Sequence, residues 1–248
     1  MFPYKPKTVT KLSDDHKADR VRFCQWILSQ PAGFLQSVIW TDEKVFSLHC
    51  RPNKQNERYW GHEDPLVEDE CRVQGGPKAM AWAMIVNGTV SVYWFDPGVR
   101  LNADSYVEML QTFMVPRLEE MPGTHQLWYQ QDGAPAHTAG TALEWIQDQF
   151  GSRVISRLTD IPWPAHSPDL ALNDYYLWGV ALKEIRRVKP VGMDGVKDLV
   201  STYLCSLPPD EVRRAAENLL VRCRVCADME GGHFEHVLKK YKNRASEE

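Results

Sequence analysis

An α/β fold, with helices packed on a mixed sheet and a helical tail behind, is what this sequence predicts. Three observations carry the prediction. The run "AMAWAMIVNGTVSVYWF" (79–95) sets Asn87-Gly88 between two apolar, β-rich stretches, the strongest short-range signature of a hairpin. After it, helical and strand-like stretches alternate, which places helices on the faces of a sheet. From Pro190 onward the pattern is helical.

The elements follow in order. Residues 13–29, "SDDHKADRVRFCQWILS", predict a helix: Ser13 is an N-cap, Asp14 and Asp15 fill the first turn, and Ala18, Val21, Cys24, Ile27 and Leu28 recur at helical spacing. Pro31-Ala32-Gly33 stops it, and "SVIWTDEKVFSL" (37–48) has the composition of a strand. Residues 51–78 are polar and run through Gly75-Gly76-Pro77, which predicts a long irregular insertion. After the hairpin, a helix is expected from Ala103 to Met121, with Tyr106, Val107, Leu110, Phe113 and Met114 on one side and a kink at Pro116. A short strand over 126–131 reaches Asp132, Thr138 caps a helix running to Phe150, and "RVIS" (153–156) is a further strand. The proline-punctuated loop "DIPWPAHSPDLALND" leads to a helix from Asp174 to Val188, and helices follow over 194–205, 209–227 and 233–242. The organisation expected is a linker and helix over 1–35, a central α/β domain over 36–190 and a helical extension over 191–248.

With 43% apolar and 25% charged residues in 248, the chain has the composition of an ordinary globular domain. No apolar run reaches the ~18 residues of a membrane span. The start "MFPYKPKTVTK" lacks the apolar core of a secretory signal, so the six cysteines are expected as reduced thiols inside the cell. A net charge of −4 excludes a surface that is basic all over, though not a local basic stripe.

Three acids stand out. Strand alternation puts Asp42 on one face with Trp40 and Phe46 and turns Glu43 to the other, so only one of the adjacent pair enters a given site, and Asp42 is the candidate. Asp132 ends a strand just before Gly133, which permits a sharp turn. Asp174 opens "DYYLWGVALKEIRR", where Leu177, Trp178, Ala181, Leu182 and Ile185 define an apolar face that includes it; a carboxylate there is costly unless paired or metal-bound. No Lys or Arg adjoins Asp132 or Asp174 in sequence. Three oxygen-donor acids gathered at one sheet edge would suit a hard ion such as Mg²⁺ or Mn²⁺, and a two-ion site would serve phosphoryl transfer. A single aspartate at a strand end is more often a turn former or helix cap, and spacing alone does not separate the readings.

The words around these acids add to the argument. "WTDEKVF", "QQDGAPAH" and "WPAHSPDLALNDYYLWG", in that order, resemble the catalytic domain of mariner-superfamily DNA transposases, cut-and-paste enzymes of the RNase H-like, three-acid (DDE/D) class. The resemblance runs from about Pro3 to the C-terminus, and "GGHFEHVL" is similar to the tail of some members. It implies an RNase H-like mixed sheet and a catalytic, metal-binding triad of Asp42, Asp132 and Asp174 holding Mg²⁺ or Mn²⁺, two ions in all. The reaction implied is hydrolysis at the element ends by a metal-bound water, then attack of the freed 3′-hydroxyl on target DNA, with no covalent protein intermediate. Insertion at TA is implied too, and TA is a flexible step that is comparatively cheap to kink. His137 matches the family histidine, as a loop histidine holding the turn or as a phosphate contact; Asp169, with Ser167 and Pro168, matches a loop-fixing word; Trp163 and Trp178 read as core or loop anchors.

The sequence departs from the family in two places. Its first residues resemble the linker that follows a paired helix-turn-helix module in family members, and "DLALND" lacks the usual second proline. The partners expected are DNA, as transposon ends and target, and a second copy of the chain, with no membrane and no small-molecule substrate. A nuclear location would follow from that substrate, although "KKYKNR" (239–244) is weak as an import signal. Arg51, Lys54, Arg58, Lys183, Arg186 and Arg187 are candidate backbone contacts, each also readable as part of a solvated face. Cys223, Cys226, His233 and His236 form a candidate zinc set, at a spacing shorter than fingers use. The alternative function is a catalytically idle or domesticated transposase remnant that binds DNA or dimerises.

Overall fold

The computed structural model describes residues 10–47, 76–121 and 126–238. Helix α1 (Asp14–Leu28) begins as expected at Ser13, whose hydroxyl accepts from the His16 N–H while the Ser13 N–H donates to His16 Nδ1, a reciprocal cap. Its buried face is rotated from the expected one. Arg20, Phe23, Cys24 and Ile27 point inward, while Ala18 is exposed. The apolar count missed this because the face is centred on a buried arginine.

Strand β1 (Val38–Ser47) is followed by the hairpin of β2 (Lys78–Val86) and β3 (Thr89–Trp94). Residues 48–75, most of the expected insertion, lie outside the described residues. Asn87 and Gly88 both have positive φ, 46° and 85°, the backbone of a two-residue turn whose twist matches that of the strands.

The expected helix over 103–121 is built in three pieces: α2 (Ala103–Met109), a π turn (Leu110–Met114) and α3 (Val115–Glu119). Pro116 has no N–H, and its ring would crowd the carbonyl four residues back. The wider turn ahead of it, closed by the Val115 N–H on the Leu110 carbonyl, makes room.

Strand β4 (Trp128–Gln130) is shorter than expected and leads to α4 (Pro135–Thr138) and α5 (Gly140–Phe150). Thr138 does not cap α5. Pro135 nucleates a separate short turn, and the Thr138 hydroxyl donates back to the Ala134 carbonyl at 3.1 Å. Strand β5 (Val154–Ile155) completes a five-stranded sheet of order β3-β2-β1-β4-β5, in which β1 runs antiparallel to β2 and parallel to β4.

A π turn (Asn173–Leu177) opens α6 (Trp178–Val188), and α7 (Gly192–Cys205) and α8 (Pro209–Asp228) follow. Residues 233–237 are loop and turn instead of the expected helix, after Gly231 takes a φ of 77°; residues 239–242 lie outside the described residues.

The sheet separates two cores. Val38, Trp40, Phe46, Ala81, Ala83 and Ile85 face α1, α6, α7 and α8. Ile39, Trp82, Met84 and Val86 face α2, its π turn and α5. Alternate residues of one strand thus enter opposite cores. Each fully buried aliphatic or aromatic side chain contributes roughly 1.5–3 kcal/mol. Asp42 therefore lies on the α6 side of the sheet, with Trp40.

Candidate active site

The parallel register puts two of the three acids together. Trp40 pairs with Gln130 at the last rung between β1 and β4. Asp42 and Asp132 each stand two residues beyond that rung, where the strands part. Asp42 is therefore not at the end of its own strand, which continues to Ser47, but at the end of its pairing with β4.

The third acid is placed by its neighbour. Asn173 Nδ2 donates at 3.0 Å to the carbonyl of Ala83, the residue paired with Asp42 in the antiparallel register. Asp174 is thus tethered one residue from the rung that carries Asp42. All three acids line one cleft of about 530 Å³. Asp174 is exposed to that cleft and not turned inward as its helical spacing implied, because the π turn shifts the first residues relative to the α6 face.

The electrostatics follow from this crowding. Burial, then the charge of Asp174, pushes the Asp42 carboxyl up to about 7, against the pull of a 2.7 Å hydrogen bond donated by Trp178 Nε1 to Asp42 Oδ2. Burial also raises Asp174, to about 6, with Lys44 opposing and Asp132 adding to the rise. Asp132 behaves differently. Burial works to raise it, but the hydrogen bond and charge of His137 prevail and hold it below the usual carboxylate range.

His137 is the hinge of that difference. Its Nδ1 lies 2.7 Å from Asp132 Oδ1 and its Nε2 lies 3.1 Å from Glu43 Oε1. Only a doubly protonated ring donates to both, and these two bonds overcome burial to raise His137 to about 10. The Ala134 N–H also donates to Asp132 Oδ1 at 2.9 Å, so one oxygen of this carboxylate is fixed within the turn. Of the two readings of His137, the turn-holding one describes these contacts.

Behind the turn, the Tyr106 hydroxyl lies 2.6 Å from that of Tyr129 and donates to Gln131 Oε1. Gln131 Nε2 donates to the His137 carbonyl and to Ser156 Oγ. These groups are buried and mutually satisfied, which makes the support stiff.

The loop before Asp174 is held by a residue the sequence did not single out. Arg20, fully buried, makes a two-pronged contact with Asp169, 2.7 Å on each oxygen, and also donates to Ser167 Oγ and to the Gly231 carbonyl. Asp169 therefore fixes the loop with Ser167, as expected, through an arginine on α1. Trp163 is a buried anchor against Phe23, but Trp178 also positions Asp42. Glu43, set aside in favour of Asp42, serves the other face through His137.

Several expected residues lie elsewhere. Lys183, Arg186 and Arg187 do not line the cleft, and Arg187 pairs with Glu184 one turn earlier on α6. Arg51, Lys54 and Arg58 lie outside the described residues. The zinc candidates do not converge. Cys223 and Cys226 are buried beside Cys24, His233 Nε2 lies 2.7 Å from the Thr10 carbonyl, and His236 is exposed.

A mixed sheet of this order, with acids gathered where β1 and β4 part, defines an RNase H-like α/β protein with an acidic cleft. The solved structures that share the fold include the catalytic domain of Mos1 mariner transposase, at a TM-score of 0.71 and 20% identity over 92% of this chain and 100% of that one. A pre-cleavage Mos1 transpososome superposes with a TM-score of 0.81 and 20% identity over 95% of this chain and 68% of that one. The Mos1 mariner paired-end complex with Mn gives 0.79 and 21% over the same shares. No protein-family profile and no curated protein matches the chain.

Proposed function

We propose that this chain is the catalytic domain of a mariner-type DNA transposase, cutting DNA strands and joining them to a target with the help of divalent cations. The observation that carries the proposal is the meeting of Asp42, Asp132 and Asp174, from three separate elements, on one open cleft. Support comes from the company the fold keeps. The Mos1 structures include a paired-end complex with a left transposon end, a strand transfer complex, and forms with Mg and with Mn.

The donor set fits such ions. It is all oxygen, and two of its carboxyls are pushed up by burial first and by neighbouring acids second, a rise that a bound cation would oppose. Among the described residues, no three His, Cys, Asp or Glu side chains close around a point. Mg²⁺ is commonly held by one or two carboxylates and completes its shell with water and substrate phosphate. When bound, two such ions would supply charge for both the attacking and the leaving oxygen of a phosphodiester.

The chain's own residues do the rest. Asp42, Asp132 and Asp174 would hold the cations, with Trp178 and His137 fixing which oxygens of Asp42 and Asp132 remain available. The cleft's openness leaves room for a DNA strand. TA target sites, assembly with a second copy and action in the nucleus belong to this same reading.

The test is strand cleavage of DNA carrying the matching ends, with the helix-turn-helix module supplied. Wild type with Mn²⁺ or Mg²⁺ should nick and join. Asp132→Asn should lower the rate by at least ~100-fold, as expected when charge stabilisation of the reacting oxygens is lost. Equal inertness of wild type and variant would instead favour a DNA-binding or dimerising remnant.

A further inference from the structure

The turn over residues 156–161, which follows β5, brings Arg157 to the lining of the acidic cleft. The turn is tightly pinned. The Ser156 N–H is shared between Thr159 Oγ1, at 3.1 Å, and the Ile161 carbonyl, at 3.2 Å. The Thr159 hydroxyl donates to the Val154 carbonyl at 2.9 Å, and the Trp163 N–H donates to the Ser156 carbonyl at 3.1 Å. Leu158, at the tip, is 62% exposed, so hydrogen bonds and not burial of the tip hold this backbone.

Arg157 leaves the pinned turn toward the acids. Among the described residues it is the one Lys or Arg that lines the cleft with Asp42, Asp132 and Asp174. Its aliphatic stem lies across Gly133, where a Cβ would stand 2.9 Å from Arg157 Cδ, so the glycine after Asp132 leaves space for this approach. None of the ion pairs or side-chain hydrogen bonds found among the described residues engages its guanidinium, although Asp132 is next to Gly133. Asp132 Oδ1 is already taken by His137 and the Ala134 N–H.

A fixed backbone thus presents an unpaired cation beside a cluster of carboxylates. The guanidinium fork matches the oxygens of a phosphate. A phosphodiester entering the cleft meets three acids that repel it until cations are bound, and a positive group lining the same cleft offsets that repulsion. Resting on the DNA-processing reading above, we infer that Arg157 binds a non-bridging oxygen of the strand phosphate that enters the cleft and holds it beside the acids.

The test is fluorescence anisotropy of the whole chain with a labelled DNA duplex of arbitrary sequence, in Ca²⁺, over a series of salt concentrations. Arg157→Ala should weaken binding about fivefold and reduce the slope of log K against log salt by about 1, the signature of one lost phosphate contact. Arg157→Lys should restore the slope, because charge sets counterion release, but not the full affinity. Both variants should melt with wild type, the side chain being exposed.

Arg157→Ala binding within about twofold of wild type with an unchanged slope overturns the inference, as does a wild type that fails to bind duplex at low salt. Strand cleavage in Mn²⁺, run in parallel, separates the two readings. An inert Arg157→Ala effect alongside cleavage that Asp132→Asn abolishes removes only the arginine contact. Arg157-dependent binding without any wild-type cleavage removes only the catalytic reading.

Discussion

Asp42 is where the opposing demands on this molecule are sharpest. Its carboxyl is raised to about 7 in the folded chain by burial and by Asp174, from an ordinary 3.8. The folded state therefore holds a proton that the unfolded state has released, and stability falls as pH rises from about 4 to about 7. In metal-free protein, Asp42→Asn should remove much of that slope. It should raise stability near pH 8 by on the order of 1 kcal/mol, discounted from the full linkage value because the carboxylate is partly solvated. Urea unfolding in a chelator, at several pH values, reads this directly; parallel wild-type and variant curves would contradict it. Of these residue-scale relations, strand alternation made one legible, the side of the sheet on which Asp42 lies. The Trp178 donor was not, since its partner is 136 residues away and a tryptophan on an apolar helix face looks like packing alone. His137 was legible as a turn residue, but its second bond, to Glu43 across 94 residues, was not.

At the scale of elements, the two-pronged pair of Arg20 and Asp169 joins α1 to the loop that carries the cleft wall. Both groups are almost wholly withdrawn from water. Removing one partner strands the other: Arg20→Met should cost about 3–5 kcal/mol, and adding Asp169→Leu should recover part of that loss. Denaturant titration of the single and double variants measures it, and a double variant no better than the single would show that the arginine's bonds to Ser167 and Gly231 outweigh the ion pair. The strands and hairpin were readable because their signals are local: Asn87-Gly88 dictates a turn whatever surrounds it, and "RVIS" needed only β-branched residues. The break at Pro116 was readable as a kink though not as a π turn, and the second π turn was not readable, because it accompanies an Asn173 side chain anchored on β2. The burial of Arg20 was hidden for the same reason, since a lone arginine in a helix reads as solvated until its acid is found 149 residues on.

For the whole molecule, the proposed binding of cations by the cleft's acids would be linked to folding. Mn²⁺ should raise the melting temperature, with a stabilisation that grows as the logarithm of its concentration and is about 2.7 kcal/mol for one ion at a hundredfold excess over the dissociation constant. The gain should grow as pH rises through 6 to 7, where Asp42 and Asp174 lose their protons, and should largely vanish in Asp132→Asn. Calorimetry at two pH values checks both statements; a gain indifferent to pH or to Asp132 would place the ion elsewhere. The same chain-wide view bears on how the protein is made. Helix α1 rests on α8, and Arg20 bonds to Gly231 across 211 residues, so α1 leaves the ribosome well before the segments it packs against. Until then its greasy side has no mate, and the nascent polypeptide carries an open seam that chaperones can occupy and that only the arrival of α8 can zip shut.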